Sequence, residues 1–277
     1  MAGGTALRRS VYRLRLSWKL TSLNVRARLE YRVEFALGIL AGILWQASVM
    51  VFATVLISRF PGLGGWSSGG VLLIASIRLL SHAVYGVLFA NVNRLHAIVQ
   101  EGKLEAFLLR PLPVYRQVVL HQFHINTFGD LAVAVTLFSL ALRRLALEWT
   151  PFKIVFLCAA VVGGALIEAA VQTALSCAAL RSPTATADWT GWLDHTLSTF
   201  GNYPLAILPG AVSGLLTFVL PVAFIAYLPA AVLTGTYEGT LVPREIALAS
   251  PCAGVVLFLA ARRLWNWNMR RYEGIGG

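Results

Sequence analysis

Several ionisable side chains lie inside long apolar runs of the sequence, where a charge is costly. Arg78 and His82 fall about one helical turn apart, and Tyr85 lies on the same predicted face. An arginine near the middle of a bilayer costs at least about 2.5–3.5 kcal/mol, so it should face protein or water. Asp130 and Glu168, in later apolar runs, are its candidate partners. We therefore predict a structural ion pair; the alternative is that this face lines a substrate pathway.

Motifs for enzymatic or metal chemistry are missing from the sequence. His121 and His124 lie three residues apart, but no third ligand accompanies them, so no metal site is expected. Gly102-Lys103 lacks the earlier glycine and the following hydroxyl residue of a nucleotide-binding phosphate loop, and no GxSxG or HExxH motif occurs. The chain is therefore not expected to be an enzyme, and ATP-driven work would need a nucleotide site on another chain.

The most densely charged segment between two apolar runs is NVNRLHAIVQEGKLEAFLLRPLPVYRQ, residues 91–117. Its two prolines end any helix near Leu109. On a helical wheel Leu104, Phe107 and Leu108 lie together, with basic side chains roughly opposite. The pattern predicts a short surface helix that offers an apolar knob to another protein; the alternative is a charged loop that only sets topology. The predicted docking residues are Glu101, Gly102, Lys103, Leu104, Glu105, Phe107, Leu108, Arg110 and Pro111.

Membrane-spanning helices must position these residues, because 57% of the 277 residues are hydrophobic and only 13% are charged. A helix needs about 20 mainly apolar residues to cross roughly 30 Å of hydrocarbon. The predicted fold is an all-α integral membrane domain over residues 33–277, without a separate soluble domain. Its six predicted spans are residues 33–57, 71–90, 121–142, 152–180, 212–235 and 246–265.

Residues 1–32 are predicted to form a basic amphipathic helix on the membrane surface. Leu7, Leu14, Trp18 and Val25 belong to one apolar stripe, and basic residues follow its flank. A solvated arm that only sets topology is the alternative.

The distribution of the net charge of +11 favours a membrane protein over a nucleic-acid-binding protein. Lysine and arginine are concentrated in the N-terminal arm, in residues 91–117 and at the C-terminal end. This bias predicts that all three segments, and therefore both termini, are cytoplasmic. Residues 181–211 are less apolar and are predicted to be a cytoplasmic loop with interfacial aromatic residues, placed there by span parity.

The run EGKLEAFLLRPLP, residues 101–113, resembles the signature G-x-L-[DE]-x-x-L-x-R-P-L of bacterial ABC-2 type export permeases. The likeness is to the six-span subgroup that pairs with drug-resistance-like ATPases. The NYP of residues 202–204 and the run LPVAFIAYLPAAVLTG, residues 220–235, resemble the same subgroup. The first motif matches at Gly102, Leu104, Glu105, Leu108, Arg110, Pro111 and Leu112.

The resemblance implies the ABC-2, or type V, exporter fold, in which the helix after the second span couples to an ATPase. It implies two permease chains, identical or related, and two ATPase chains that bind ATP and Mg²⁺. ATPase closure would push on residues 91–117 and rock the two permease halves about a pathway at their interface. Candidate pathway residues are Arg78, His82, Tyr85, Pro221 and Tyr227. A bacterial cytoplasmic (inner) membrane is the implied location.

The leading hypothesis is therefore the membrane subunit of an exporter for an amphipathic or hydrophobic molecule, such as a peptide, antibiotic or lipid. One alternative is a membrane-embedded lipid-modifying enzyme that uses His82, Asp130 or Glu168. Against it, these groups are scattered singly along the chain. The other alternative is a scaffold or sensor subunit that transports nothing.

Overall fold

The computed structural model describes residues 22, 32–59, 63–122, 124, 126–145, 147–237 and 239–272. This part of the chain is helical and contains no β-strand, as the all-α prediction requires. The predicted amphipathic helix of residues 1–32 lies outside the described residues, apart from Ser22 and Arg32.

The described part of the chain forms both long and short α-helices. They are α1 (Arg32–Arg59), α2 (Ser68–Phe89), α3 (Leu95–Gln100), α4 (Lys103–Leu108), α5 (Val114–Val119), α6 (Asn126–Arg144), α7 (Pro151–Ser176), α8 (Pro183–Phe200), α9 (Gly210–Phe218), α10 (Tyr227–Thr234), α11 (Arg244–Leu248) and α12 (Ser250–Met269).

Two helical segments of the described chain are both long and apolar enough to cross a bilayer, Ser68–Gln100 and Pro151–Leu180. They contain α2 and α7, which coincide with the second and fourth predicted spans. The helices α1, α6 and α12 fall on the first, third and sixth predicted spans and have 28, 19 and 20 residues. At 1.5 Å per residue they are about 42, 28 and 30 Å long.

The fifth predicted span, residues 212–235, is wrong as a continuous helix. Two short helices occupy it, α9 with 9 residues and α10 with 8, and the chain turns between them at Pro221. Their lengths of about 13 and 12 Å are well short of the hydrocarbon thickness. A proline lacks the N–H that would continue the helix, and its ring clashes with the preceding turn.

A helix missed by the sequence analysis lies in residues 181–211, which were predicted to be a loop. This helix, α8, has 18 residues, and Pro183 occupies its first turn, where the missing N–H costs nothing. At about 27 Å it approaches the length of a span.

The long helices form a row in which each packs against the next, in the order α1, α6, α2, α7, α12. Glycines allow their close approach. A Cβ atom on Gly129 of α6 would lie 2.6 Å from the Ile39 carbonyl oxygen of α1, and one on Gly163 of α7 would lie 2.7 Å from the Pro251 Cα of α12. Small residues at such crossings let helix backbones touch in a membrane domain.

Two large buried apolar clusters divide the row. The larger contains Trp66 and the beginnings of α2 and α7, and we call this side the Trp66 end. The other contains Trp265 of α12 with residues that follow α2 and α7 in the chain, and we call this side the Trp265 end. Helix α8 packs on α7 and on α3, so its beginning lies at the Trp265 end.

Candidate functional site

An ion pair is buried between α2 and α7. Arg78 Nη1 lies 3.3 Å from Glu168 Oε2, and the two side chains are 2% and 1% exposed. The Nε–H of Arg78 also donates to the Leu197 carbonyl oxygen of α8, at 3.2 Å. Both charges are removed from solvent, so each depends on the other for compensation. Of the two carboxylates predicted as partners of Arg78, the structure brings Glu168 into this contact.

His82 holds the second oxygen of Glu168. Its Nδ1 is 2.7 Å from Glu168 Oε1. A carboxylate oxygen accepts hydrogen bonds, so Nδ1 carries the proton and the Nε2 of a neutral ring is left as an acceptor. The His82 side chain is 29% exposed, whereas that of Glu168 is 1% exposed. His82 therefore connects the buried pair to the accessible side of α2, where Asp130 is near enough to act on its charge.

Asp194 of α8 is a fourth ionisable group at this site, and it was not among the residues predicted from the sequence. Its Oδ2 accepts a hydrogen bond of 2.9 Å from Asn93 Nδ2, and its Oδ1 accepts one from Gln172 Nε2. Asn93 belongs to residues 91–117, so Asp194 joins that segment to α7. Both donors are neutral amides.

A sequence signal for α8 exists. Its buried residues Thr186, Thr190, Leu193 and Leu197 recur at intervals of three and four, the spacing of one helix face. Two of these four positions are threonines, which a strictly apolar count omits, so the period was not recognised. If threonine is counted as compatible with a packed helix face, the period becomes visible, and Asp194 then lies next to that face.

A cavity of about 340 Å³ opens between α1, α2 and α8. Arg78 and His82, two of the predicted pathway residues, lie in its wall. The complete lining is Trp45, Arg78, Leu79, His82, Gly191, Asp194, His195, Ser198 and Asn202.

The other three predicted pathway residues are not part of this lining. Tyr85 is buried in a small cluster with two alanines of α7. Tyr227 lies at the Trp66 end, where its ring centroid is 5.4 Å from that of Trp66. Pro221 precedes the turn between α9 and α10.

Residues 91–117 contain three short helices, α3, α4 and α5, rather than one. Gly102 separates α3 from α4 with a φ of 65°, in the left-handed region that side chains with a Cβ rarely adopt. A hydrogen bond of 2.8 Å from Gln117 Nε2 to the Phe107 carbonyl oxygen, and an equal one to that of Leu112, close the proline turn against α5. The segment is therefore a compact unit with its own internal support.

The predicted apolar knob is wrong for two of its three residues. Leu104 and Phe107 are 0% and 5% exposed and belong to the buried cluster around Trp265, so they hold the segment to its own chain. The apolar side chains that do reach the surface are Leu108, 49% exposed, and Leu109, 89% exposed. The sequence pattern identified the apolar face correctly but not what covers it.

The inner side of the segment is fastened to α7 and to the end of the described chain. The Tyr115 hydroxyl is 3.0 Å from Thr173 Oγ1. The Tyr272 hydroxyl donates to Glu105 Oε1 at 2.7 Å. Burial of the hydroxyl, and to a smaller extent this hydrogen bond, raise the pKa of Tyr272 to about 12. Tyr115 also packs edge-on against Trp265, with ring centroids 5.2 Å apart.

The outer side of the segment is accessible and charged. Glu101, Gly102, Lys103, Arg110 and Pro111 are all exposed. Glu101 forms an ion pair with Lys103, and the hydrogen bond and charge of Lys103 lower the pKa of Glu101. An exposed ion pair contributes little to stability. These side chains are therefore free to take part in contacts with a partner.

Comparison with known proteins gives one match. A family model described as "ABC-2 family transporter protein" matches residues 43–276, a range that includes the ion pair, the cavity and residues 91–117. Searches of the curated proteins and of the solved structures returned no match.

Proposed function

The chain belongs to the ABC-2 transporter family, whose members are membrane-embedded permeases, and from this we propose that it is the permease subunit of an ATP-driven exporter. The match covers most of the chain. We assign the chain further to the six-span subgroup that pairs with drug-resistance-like ATPases, because of the motif in residues 101–113.

One observation carries the assignment of a coupling role: residues 91–117 have one anchored side and one free side. The anchored side contacts α7 and α12 through Tyr115, and Leu104 is buried beneath it. A force applied to the free side therefore reaches two long helices through packed contacts. The free side presents Leu108, Leu109 and Arg110 to the ATPase.

The complete transporter contains two permease chains and two ATPase chains in this proposal. The ATPase chains bind ATP and Mg²⁺, since residues 102–103 of this chain do not form a phosphate loop. The second permease is a copy of this chain or a related one. Closure of the ATPases moves residues 91–117 and rocks the permease halves.

The proposed spans are α1, α2, α6, α7, α8 and α12, in which α8 takes the place of residues 212–235. The proposed location is the cytoplasmic membrane of a bacterium. The excess of lysine and arginine favours a cytoplasmic position for the Trp265 end and, from the sequence, for both termini. Helices α9 and α10 then lie toward the outer face. The transported molecule is amphipathic or hydrophobic, such as a peptide, antibiotic or lipid, and Arg78 and His82 line its path.

Purification of the chain from its native membrane in a gentle detergent tests this function. We expect a stoichiometric partner that contains a nucleotide-binding phosphate loop. The triple variant Leu108→Ser, Leu109→Ser, Arg110→Ala should lose this partner yet still insert in the membrane. The matched control is Leu241→Ser with Ile246→Ser, which are 48% and 43% exposed and lie outside the segment.

Two results would contradict the proposal. The first is purification of an intact chain without any ATPase, under conditions that preserve other such complexes. The second is full retention of the ATPase by the triple variant, which would remove the coupling role from the free side of the segment.

A further inference from the structure

We propose that the cavity between α1, α2 and α8 binds an ammonium group of the transported molecule, with Asp194 as its counter-charge. That the bound molecule is transported rests on the proposed function. The binding site itself rests on the cavity and on the side chains that line it.

Asp194 is the carboxylate of the cavity wall, and it has no ion-pair partner among the described residues. Arg78 and Glu168 neutralise each other at 3.3 Å. Asp194 receives hydrogen bonds from the amides of Asn93 and Gln172, and among the described residues no cationic side chain lies within ion-pair distance of it. Both carboxylate oxygens accept, which fits the ionised form. An ionised group in a membrane domain requires a partner charge, and a bound cation supplies it.

The cavity wall also presents a buried acceptor. Asn202 is 2% exposed, and its Nδ2 donates to the Ser198 carbonyl oxygen at 2.5 Å. Its Oδ1 has no hydrogen-bond partner among the described residues, although the residue lines the cavity. An unpaired buried carbonyl costs about 1–3 kcal/mol, which a ligand N–H would relieve.

An aromatic ring completes the set. Trp45 of α1 lines the cavity and is 64% exposed. The face of an indole attracts ammonium groups more strongly than other aromatic rings do. A carboxylate, an amide oxygen and an indole around one space form a combination that selects a cation over an anion of the same size.

The size of the cavity indicates which part of a molecule enters. Its volume of about 340 Å³ lies at the lower end of ligand pockets, which hold roughly 300–1,000 Å³. It admits an ammonium group with a short alkyl chain. The apolar side chains exposed along α1 beside Trp45 include Leu37, Leu40 and Leu44, and they offer a surface to the remainder of the molecule. The predicted substrate class is therefore an amphipathic amine.

Equilibrium binding to the purified permease in lipid nanodiscs tests the inference, with empty nanodiscs subtracted. The probes are radiolabelled hexylammonium, hexan-1-ol and hexanoate, which share one chain length and differ in charge. We expect hexylammonium to bind about tenfold or more tightly than either of the others. Asp194→Asn should remove this preference while leaving the binding of hexan-1-ol unchanged, which a misfolded variant would not do.

Asp188→Asn is the matched control, since Asp188 is an exposed residue of the same helix outside the cavity lining. It should keep the preference for hexylammonium. Equal binding of the three probes, a preference for hexanoate, no binding at all, or a preference that survives Asp194→Asn would each overturn the inference. No ATPase is needed for these measurements. A chain that copurifies with an ATPase but shows no ammonium preference contradicts only the inference; the reverse result contradicts only the exporter function.

Discussion

Arg78 and Glu168 meet at 3.3 Å between α2 and α7, and the second oxygen of the same carboxylate is held by His82 at 2.7 Å. Glu168 is thus shared between two side chains that lie one turn apart on α2. The carboxylate therefore connects α7 to α2. Its removal would leave the buried guanidinium of Arg78 without a counter-charge.

Glu168→Gln should therefore be strongly destabilising. We expect the free energy of unfolding to fall by about 3–5 kcal/mol, as happens when one partner of a buried ion pair is removed. Thermal unfolding of the purified protein in nanodiscs measures the change. Replacing both partners, with Arg78→Met and Glu168→Met, should restore much of the loss, because no uncompensated charge then remains. Additive losses in the double variant would contradict a direct pairing.

Gly102→Ala and Gly214→Ala should change stability in opposite directions. At Gly102 the φ of 65° strains an alanine, with an expected cost of about 1–2 kcal/mol. Gly214 lies inside α9 with open space around its position, so an alanine there should favour the helix by up to about 1 kcal/mol. Unfolding temperatures of the two variants compare them directly. A Gly102→Ala variant as stable as Gly214→Ala would show that the joint between α3 and α4 is not strained.

Gly254→Ala should separate α7 from α12. A Cβ atom at this position would collide with the backbone carbonyl of Gly163, which cannot move as a flexible side chain would. We expect a loss of stability of a few kcal/mol, in the range of overpacked sites, which is about 1–3 kcal/mol. Thermal unfolding, with Gly214→Ala as the control for added volume, provides the measurement. Equal unfolding temperatures for both variants would contradict the close crossing.

Acid should loosen residues 91–117 through His121. Burial, and the nearby charges of Lys103, Arg94 and Arg110 opposed by Glu101, hold the pKa of His121 below its usual value. The ring packs edge-on against Phe107, with centroids 5.6 Å apart. A lowered pKa in the folded state means that the contribution of His121 to stability is present above the unfolded pKa of about 6.5 and is lost as pH falls through the folded pKa.

The measurement is the unfolding temperature between pH 7.5 and pH 5 for the wild-type chain and for His121→Gln. We expect the wild-type chain to lose more stability than the variant over this interval, because glutamine has no proton to gain. Parallel curves for the two proteins would exclude His121 as a source of the pH dependence.

The parts of the fold that were predictable are those in which apolar length decides the outcome. The helices α2 and α7 are long, apolar and bounded by turn residues, and both lie where the sequence placed them. The same logic failed for α8, because its packed face contains threonines whose hydroxyls bond back to their own helix, as Thr196 does to the Trp192 carbonyl oxygen at 2.9 Å. An apolar average does not register such a face.

The run of residues 212–235 failed for the opposite reason. It is apolar throughout, so composition predicted a span, but apolar composition does not distinguish one helix from two short ones packed in a core. Leu104 and Phe107 are covered by a buried cluster that includes Trp265 of α12, more than 140 residues later in the chain. A local helical wheel contains no information about that cover.

The crossing of α7 and α12 at Gly163 and Gly254 has a mechanical consequence. The two backbones touch without intervening side chains, so we expect changes in the crossing angle to pivot about this fulcrum. Trp265 lies 11 residues beyond Gly254, a lever arm of about 16 Å. A tilt of roughly 10° would displace Trp265, and the Tyr115 ring packed on it, by about 3 Å while the fulcrum stays still. The two glycines thus determine how far the Trp265 end moves when the angle between α7 and α12 changes.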